Sequence, residues 1–94
     1  MTINEFAQRL HQEQVERYKK DHPSLNAEFE ARVSIHVGRK YTRVDIGTSG
    51  KYMVDKAGNI YGIKAYGVPH LSKHYGTLET VDQFYWGNYT AEKK

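Results

Sequence analysis

Hydrophobic residues in the first part of the chain recur at the spacing of a helix, on a stretch that is otherwise polar. This stripe predicts an amphipathic helix over residues 3–20 with one narrow buried face. The start fits a capping box, because the Thr2 hydroxyl can accept a hydrogen bond from the Glu5 amide while the Glu5 carboxylate reaches back to Thr2. Pro23 disfavours helical geometry at the residue before it, so the helix is expected to end shortly before that proline.

From Phe29 onward the hydrophobic residues alternate with polar ones, which is typical of strands with one buried face. Short turns that contain glycine separate the alternating runs. Connections this short join antiparallel neighbours, so the runs predict a four-stranded antiparallel meander with the N-terminal helix covering one face. The predicted strands span residues 29–37, 41–47, 51–55 and 59–66.

The rest of the chain is predicted to contain a loop, a short helix and a frayed end. Residues 67–70 include glycine and proline, which indicate a loop. A weaker capping pattern begins at Thr80 and predicts a short helix over residues 80–86, while residues 90–94 are expected to fray. The sequence therefore predicts a single α+β domain over residues 1–94.

The amino-acid composition excludes several classes of function. The 94 residues include no cysteine, which excludes a disulfide framework, a thiol nucleophile and a cysteine-based zinc site. No apolar run approaches the ~20 residues that span a bilayer, and no signal-like segment opens the chain. We therefore expect a cytoplasmic protein with no membrane partner. The modest core of so small a domain leaves room for a homodimer.

The positive charge is concentrated in the middle of the chain. Between Arg39 and His74 the sequence has seven lysines and arginines but only two acidic residues. Such a stretch attracts an anionic partner, although lysines also keep exposed sheet edges soluble. Tyrosines are interleaved with these bases. Tyrosine and arginine are favoured at protein hot spots, and aromatic rings beside basic residues also hold single-stranded nucleic acid.

We predict that these basic and aromatic side chains project together from one outward face of the sheet and act with the loop that follows it. Together they would form a binding surface for another protein or for nucleic acid. The predicted binding residues are Arg39, Lys40, Tyr41, Arg43, Lys51, Lys64, His70, Lys73, His74 and Tyr75.

No motif in the sequence predicts catalysis, a cofactor or a metal site. His70 and His74 would share one face of a helix, but no third ligand accompanies them and Lys73 between them would repel a cation. Residues 47–51 lack the spacing and the following helix of a phosphate-binding loop. No serine lies in a nucleophile-elbow pattern. We therefore expect a protein that is not an enzyme and has no cofactor.

Residues 52–89 contain a hairpin of the pattern VDxxGxIYG followed by the segment YGxxHxxxHYGTLxT. This pair of motifs resembles that of short, mostly uncharacterised proteins encoded by tailed bacteriophages and related mobile elements. The resemblance covers about 40% of the chain. It implies a phage origin and action in the cytoplasm of a bacterial host, and it implies no particular activity or catalytic residue. By analogy, small phage proteins act on host machinery that includes CRISPR and restriction defence.

The sequence thus predicts a non-catalytic, phage-type accessory protein that binds a host macromolecule and inhibits host defence. A pI near 9.1 excludes an acidic mimic of DNA, so such an inhibitor would block an acidic protein surface or bind nucleic acid or a small anion. The alternative hypothesis is a basic, tyrosine-rich nucleic-acid-binding module. The third is a small metal- or nucleotide-dependent enzyme.

Overall fold

The chain has an α+β fold in which an N-terminal helix covers one face of a five-stranded antiparallel sheet, with a two-stranded sheet at the C-terminus. The predicted fold class is confirmed. The structure is a computed structural model that describes residues 1–65 and 67–94; Tyr66, the last residue of the predicted fourth strand, lies outside the described residues. The helices are α1 (Ile3–Asp21), α2 (Ala27–Glu30) and a 3-10 helix (Val81–Gln83), and the strands are β1 (Val33–Val37), β2 (Tyr41–Ile46), β3 (Ser49–Asp55), β4 (Asn59–Ala65), β5 (Val68–Thr77), β6 (Phe84–Tyr85) and β7 (Glu92–Lys93).

α1 begins at Ile3, as the sequence predicts, and ends at Asp21. The Thr2 hydroxyl accepts the Glu5 amide at 3.1 Å, and a Glu5 carboxylate oxygen accepts the Thr2 amide at 2.8 Å. This capping box satisfies two N–H groups that the first turn of a helix cannot pair within itself. Neither α1 nor another helix among the described residues has the length and apolar character needed to cross a membrane. The buried residues of α1 are Phe6, Leu10 and Val15.

The sheet contains the predicted meander, β1 to β4, and a fifth strand beside β4 that the sequence analysis missed. The loop predicted over residues 67–70 is wrong, because β5 begins at Val68 and continues to Thr77. A bulge conceals the strand from pattern analysis. The neighbouring residues Tyr61 and Gly62 pair with His74 and His70, so three β5 residues loop out and the alternation of side chains is interrupted.

The first predicted strand, residues 29–37, starts too early. Ala27–Glu30 form the short helix α2, and β1 begins at Val33. The Asn26 side chain caps α2 by accepting the Phe29 amide at 3.3 Å. The alternation of hydrophobic residues runs through α2 and β1 alike, so alternation alone does not mark the boundary between them. The other predicted strands agree with β2, β3 and β4 to within two residues.

The short helix predicted over residues 80–86 is present only as the 3-10 helix Val81–Gln83, and the frayed tail predicted over residues 90–94 is wrong, because the C-terminal residues form two short paired strands. Val81–Gln83 makes a single 3-10 turn, after which β6 pairs with β7. Burial of Trp86 explains the difference, because an indole held in the core fixes the course of the chain on either side of it.

Trp86 joins the C-terminal segment to α1 and to the sheet. Its ring is fully buried and packs edge-on against Phe6, with ring centroids 4.8 Å apart, and against Tyr52, at 5.3 Å. Its backbone N–H donates to a Glu13 carboxylate oxygen at 2.9 Å, and its indole N–H donates to the Val81 carbonyl at 3.0 Å. One residue therefore ties three parts of the chain into the same core. That core consists of Phe6, Leu10, Val44, Tyr52, Val54, Ile60, Val81, Trp86 and Ala91.

The turn between β3 and β4 is organised by the Asp55 carboxylate. One oxygen accepts the backbone amides of Ala57, at 3.0 Å, and Asn59, at 2.8 Å, while the other accepts the Asn59 side-chain amide at 3.0 Å. Gly58 adopts a positive φ of 91°, a conformation that side chains disfavour. Burial raises the pKa of Asp55, but these hydrogen bonds outweigh it and the pKa lies below its usual value.

Truncation of Trp86 should destabilise the protein severely. We expect Trp86→Ala to lower the free energy of unfolding by about 3–5 kcal/mol, because it removes a fully buried aromatic ring and leaves a cavity. The matched control is Leu71→Ala, at a side chain that is 61% exposed, which should change the free energy of unfolding by about 0.5 kcal/mol or less. Urea unfolding followed by circular dichroism measures both. A Trp86→Ala effect as small as that of the control would contradict the packing described.

Asp55 should make stability depend on pH. We expect Asp55→Ala to lower the free energy of unfolding by about 1–2 kcal/mol at pH 7, where the carboxylate is ionised and its hydrogen bonds are charge-assisted. Since the folded state lowers the pKa, this contribution is complete above the unfolded pKa near about 4 and is lost as pH falls through the lower folded pKa. Urea unfolding between pH 7 and pH 2 should show wild type and variant converging in acid. A difference that stays constant down to pH 2 would contradict this role.

Candidate binding surface

The sheet has two faces with different roles. On the helix face, Val44, Tyr52 and Ile60 are buried in the core with α1. The opposite side, which we call the outer face, carries the alternate residues of the same strands. Because directly paired residues point to the same side of a sheet, the strand register places one row of side chains across this face. The row is His36, Arg43, Met53, Tyr61 and His74.

A buried carboxylate anchors the charges of the outer face. Asp45 is only 7% exposed; one of its oxygens accepts the Arg43 Nε–H at 2.9 Å, and the other lies 3.2 Å from His36 Nε2. An ionised carboxylate withdrawn from water needs such partners to offset its lost hydration. Arg43 is therefore held in place against the sheet, and part of its charge is compensated. Met53, between Arg43 and Tyr61 in the row, is also buried, so the side chains of this face cover one another.

An aromatic strip crosses the outer face beside these charges. The Tyr41 and Tyr61 rings meet edge to face with centroids 6.5 Å apart. Tyr61 also stacks on His74, with centroids 5.0 Å apart and ring planes 28° from parallel. His74 is exposed, so the strip ends in a ring that solvent or a partner can reach. This pairing depends on the β5 bulge, which sets His74 opposite Tyr61.

A groove of about 330 Å³ opens beside the turn between β1 and β2. The turn is closed by the Gly38 amide, which donates to the Tyr41 carbonyl at 2.9 Å, and it exposes the side chains of Arg39 and Lys40. Val37 stands next to them with 79% of its surface exposed. We call this feature the hairpin groove; it is lined by His36, Val37, Gly38, Arg39, Lys40, Tyr41, Arg43, Met53 and Gly67.

The predicted binding residues do not all project from the outer face. Arg39, Lys40, Tyr41 and Arg43 line the hairpin groove, and His74 belongs to the same face through Tyr61. This part of the predicted set is brought together by the fold.

Lys51, Lys73 and Tyr75 lie at a different place, beside Tyr52 on the helix side of the sheet. Lys51 is the extra residue of a bulge in β3, where Val44 pairs with Tyr52 but Asp45 pairs with Gly50. A bulge sends two successive side chains to the same side, which strict alternation cannot anticipate. The expectation of one common outward face is therefore wrong for these three residues.

Lys64 lies near the end of β4, and His70 lies near the start of β5. Lys64 is exposed, and His70 Nδ1 lies 2.8 Å from the Ser72 hydroxyl, a hydrogen bond within β5 itself. His70 and His74 do not share a helix face, since both are in a strand. Among the residues that the structure describes, no group of three or more histidines and acids gathers in a way that could hold a metal ion.

Sequence reasoning missed His36, Asp45 and Tyr61 as members of this surface. The signal was present for all three, because each alternates with hydrophobic residues of its strand and so is expected on the outer face. Asp45 also lies two residues from Arg43, the spacing that places two side chains on the same side of a strand. What the sequence does not show is the register that aligns His36, Arg43 and Tyr61 across three strands.

Comparison of the chain with protein-family models, with curated proteins and with solved structures found no match. The resemblance of residues 52–89 to phage-encoded proteins therefore stays a prediction, and the functional argument depends on the geometry of the outer face.

Proposed function

We propose that this protein is a non-catalytic binding module whose hairpin groove engages an acidic segment of a partner protein. The observation that carries the proposal is the position of Val37, a largely exposed apolar side chain, beside the exposed cations Arg39 and Lys40 at a formed groove. Apolar contact flanked by complementary charge is the usual composition of a specific protein interface.

Charge favours an acidic partner. Three lysine and arginine side chains line the hairpin groove, and no carboxylate among the described residues lines it; Asp45, behind Arg43, is buried and already engaged with Arg43 and His36. The exposed Arg39 and Lys40 would accelerate encounter with an acidic segment and orient it. Arg43 is pre-ordered by Asp45, so less side-chain freedom is lost when it contacts a partner.

The apolar part of the surface favours protein over nucleic acid. Val37, which lines the groove, and Val68, the next residue after the groove residue Gly67, are both exposed, and neither side chain offers a contact to phosphate. Their exposure is costly in water and is relieved by covering them with another apolar group. A second copy of the chain is a poor occupant, because a symmetric dimer would bring the same cations against each other.

A second candidate function is the binding of single-stranded nucleic acid. It is favoured by one observation, the aromatic strip of Tyr41, Tyr61 and His74, which ends in an exposed ring close to basic side chains. Bases stack on such rings while lysine and arginine contact phosphates. The strip is less open than a dedicated stacking platform, since Tyr61 already uses one ring face for His74.

We further propose that the partner is a bacterial host protein, such as a component of CRISPR or restriction defence, which the chain would inhibit by occupying an acidic surface. This step is supported by the phage resemblance of residues 52–89 and by the basic pI, which suits an acidic target. It is separable from the binding proposal, which depends on the outer face alone.

Charge reversal in the groove tests the proposal. A protein captured from bacterial lysate on immobilised wild-type chain would be purified, and its affinity measured by calorimetry. We expect Arg39→Glu/Lys40→Glu to weaken binding at least tenfold, because two attractive contacts become repulsive. Val37→Ser should weaken it severalfold through lost apolar contact. The matched control is Lys93→Glu/Lys94→Glu, an adjacent exposed pair at the other end of the chain, which should bind like wild type.

Equal affinity of the Arg39→Glu/Lys40→Glu variant and wild type would contradict the proposal. A series of titrations with single-stranded oligonucleotide tests the second candidate. Nucleic-acid binding requires affinity that falls steeply with salt, because each neutralised phosphate releases counterions. Weak affinity with little salt dependence would reject it and leave the protein partner as the remaining candidate.

A further inference from the structure

A second cavity, of about 210 Å³, lies between β3, β4, β5 and the segment before β7. It is separate from the hairpin groove and is not used by the proposed function. Its lining combines ammonium groups and hydroxyl groups, with glycine backbone between them. The polar residues that line it are Lys51, Tyr52, Lys73, Tyr75, Tyr89 and Thr90.

Two bulges and one glycine create this cavity. The β3 bulge brings Lys51 to it, and the β5 bulge brings Lys73. Gly62 lies between them: a Cβ atom at that position would stand 3.3 Å from Lys73 Cβ and 3.4 Å from the Tyr75 ring. A larger residue at position 62 would therefore fill the space that the glycine leaves open.

The two lysines bring positive charge into the cavity without a counterion. Neither Lys51 nor Lys73 forms an ion pair with a carboxylate among residues 1–65 and 67–94. Lys51 is partly buried, its Nζ lies 3.5 Å from the centre of the Tyr89 ring, and burial lowers its pKa. An ammonium group that has lost part of its hydration is stabilised by a neighbouring anion.

The Tyr52 hydroxyl adds a buried hydrogen-bond donor. Tyr52 is 1% exposed; the Ala91 backbone N–H lies near its hydroxyl oxygen, but the hydroxyl hydrogen has no acceptor of standard hydrogen-bond geometry among the described residues. Burial, with a smaller contribution from Tyr75, raises the pKa of Tyr52 well above its ordinary value despite an opposing effect of the Ala91 backbone. The hydroxyl is therefore protonated at neutral pH and can donate. A buried donor without an acceptor is unfavourable, and an acceptor in the adjoining cavity would satisfy it.

We propose that this cavity binds a phosphoryl group, with Lys51 and Lys73 neutralising its charge and the Tyr52 hydroxyl donating to one of its oxygens. Charge selects this chemical class: a phosphoryl group carries about 1.5 to 2 negative charges at pH 7, which is close to the charge of two ammonium groups, whereas a carboxylate would leave one of them uncompensated. The volume of the cavity also fits a phosphoryl group. A water molecule occupies ~30 Å³, so the cavity has room for a tetrahedral oxyanion with some water, but not for a macromolecule.

Calorimetric titration of the full-length chain with inorganic phosphate, at low and constant ionic strength, tests the site. We expect saturable binding of one phosphate per chain. Lys51→Met and Lys73→Met should each weaken it about tenfold or more, because each removes a charge-assisted contact. Lys56→Met, at an exposed lysine in the β3–β4 turn, is the matched control and should leave the affinity unchanged. Circular dichroism checks that each variant is folded.

A further variant separates a ligand contact from a structural role. Tyr52→Phe should weaken phosphate binding while leaving the melting temperature of the unliganded protein nearly unchanged, because it removes a hydroxyl whose hydrogen has no acceptor among the described residues. Titration with glycerol phosphate in parallel distinguishes the source of the phosphoryl group. Tighter binding of the free ion assigns the site to inorganic phosphate, and tighter binding of the ester assigns it to a phosphorylated metabolite.

Two results would overturn the proposal: no saturable heat with either phosphate compound, or equal weakening by Lys56→Met and Lys51→Met, which would show only nonspecific attraction. The Arg39→Glu/Lys40→Glu variant should bind phosphate with the wild-type affinity. If that variant loses partner binding but retains phosphate binding, the two sites act independently. The phosphate-site proposal and the partner-binding proposal can therefore be rejected separately.

Discussion

A single helix of 19 residues can cover only one face of a five-stranded sheet, and the arrangement of this protein follows from that constraint. α1 and the C-terminal segment, joined through Trp86, cover the helix face and form the main core with it. The outer face has to be stable in water without a layer of its own. It achieves this with amphipathic side chains, which keep Met53 from solvent while presenting rings and charges outward.

The same constraint explains why a buried carboxylate stands on the solvent side of the sheet. Asp45 is covered by its neighbours and is compatible with burial because Arg43 and His36 are within reach. Its contribution to stability is offset by desolvation, so its clearest effect is on geometry: it fixes the direction of Arg43. A surface of this kind is already ordered before a partner arrives. The hairpin groove therefore combines an ordered cation, Arg43, with the exposed cations Arg39 and Lys40 of the β1–β2 turn.

Much of the fold could be predicted from the sequence, and the exceptions share physical causes. The capping box at Thr2 and Glu5 located the start of α1, and alternation located β2, β3 and β4. β5 was missed because its bulge interrupts alternation, and the C-terminal strands were missed because their position depends on burial of Trp86, a long-range contact. The candidate site likewise contains residues that could be located from the sequence and residues that could not. Turn residues such as Arg39 and Lys40 were located correctly. Lys51 was expected on the outward face and Lys73 in a loop, because the bulges that determine where these two side chains lie are not visible in the sequence pattern.

We propose that the hairpin groove is the surface that meets a partner protein. Amide chemical shifts of ¹⁵N-labelled chain, recorded by nuclear magnetic resonance with and without the purified partner, test this proposal directly. We expect the largest changes at residues 36–43 and at Met53 and Gly67, which line the groove. Changes confined to the solvent side of α1, with the β1–β2 hairpin unaffected, would contradict it.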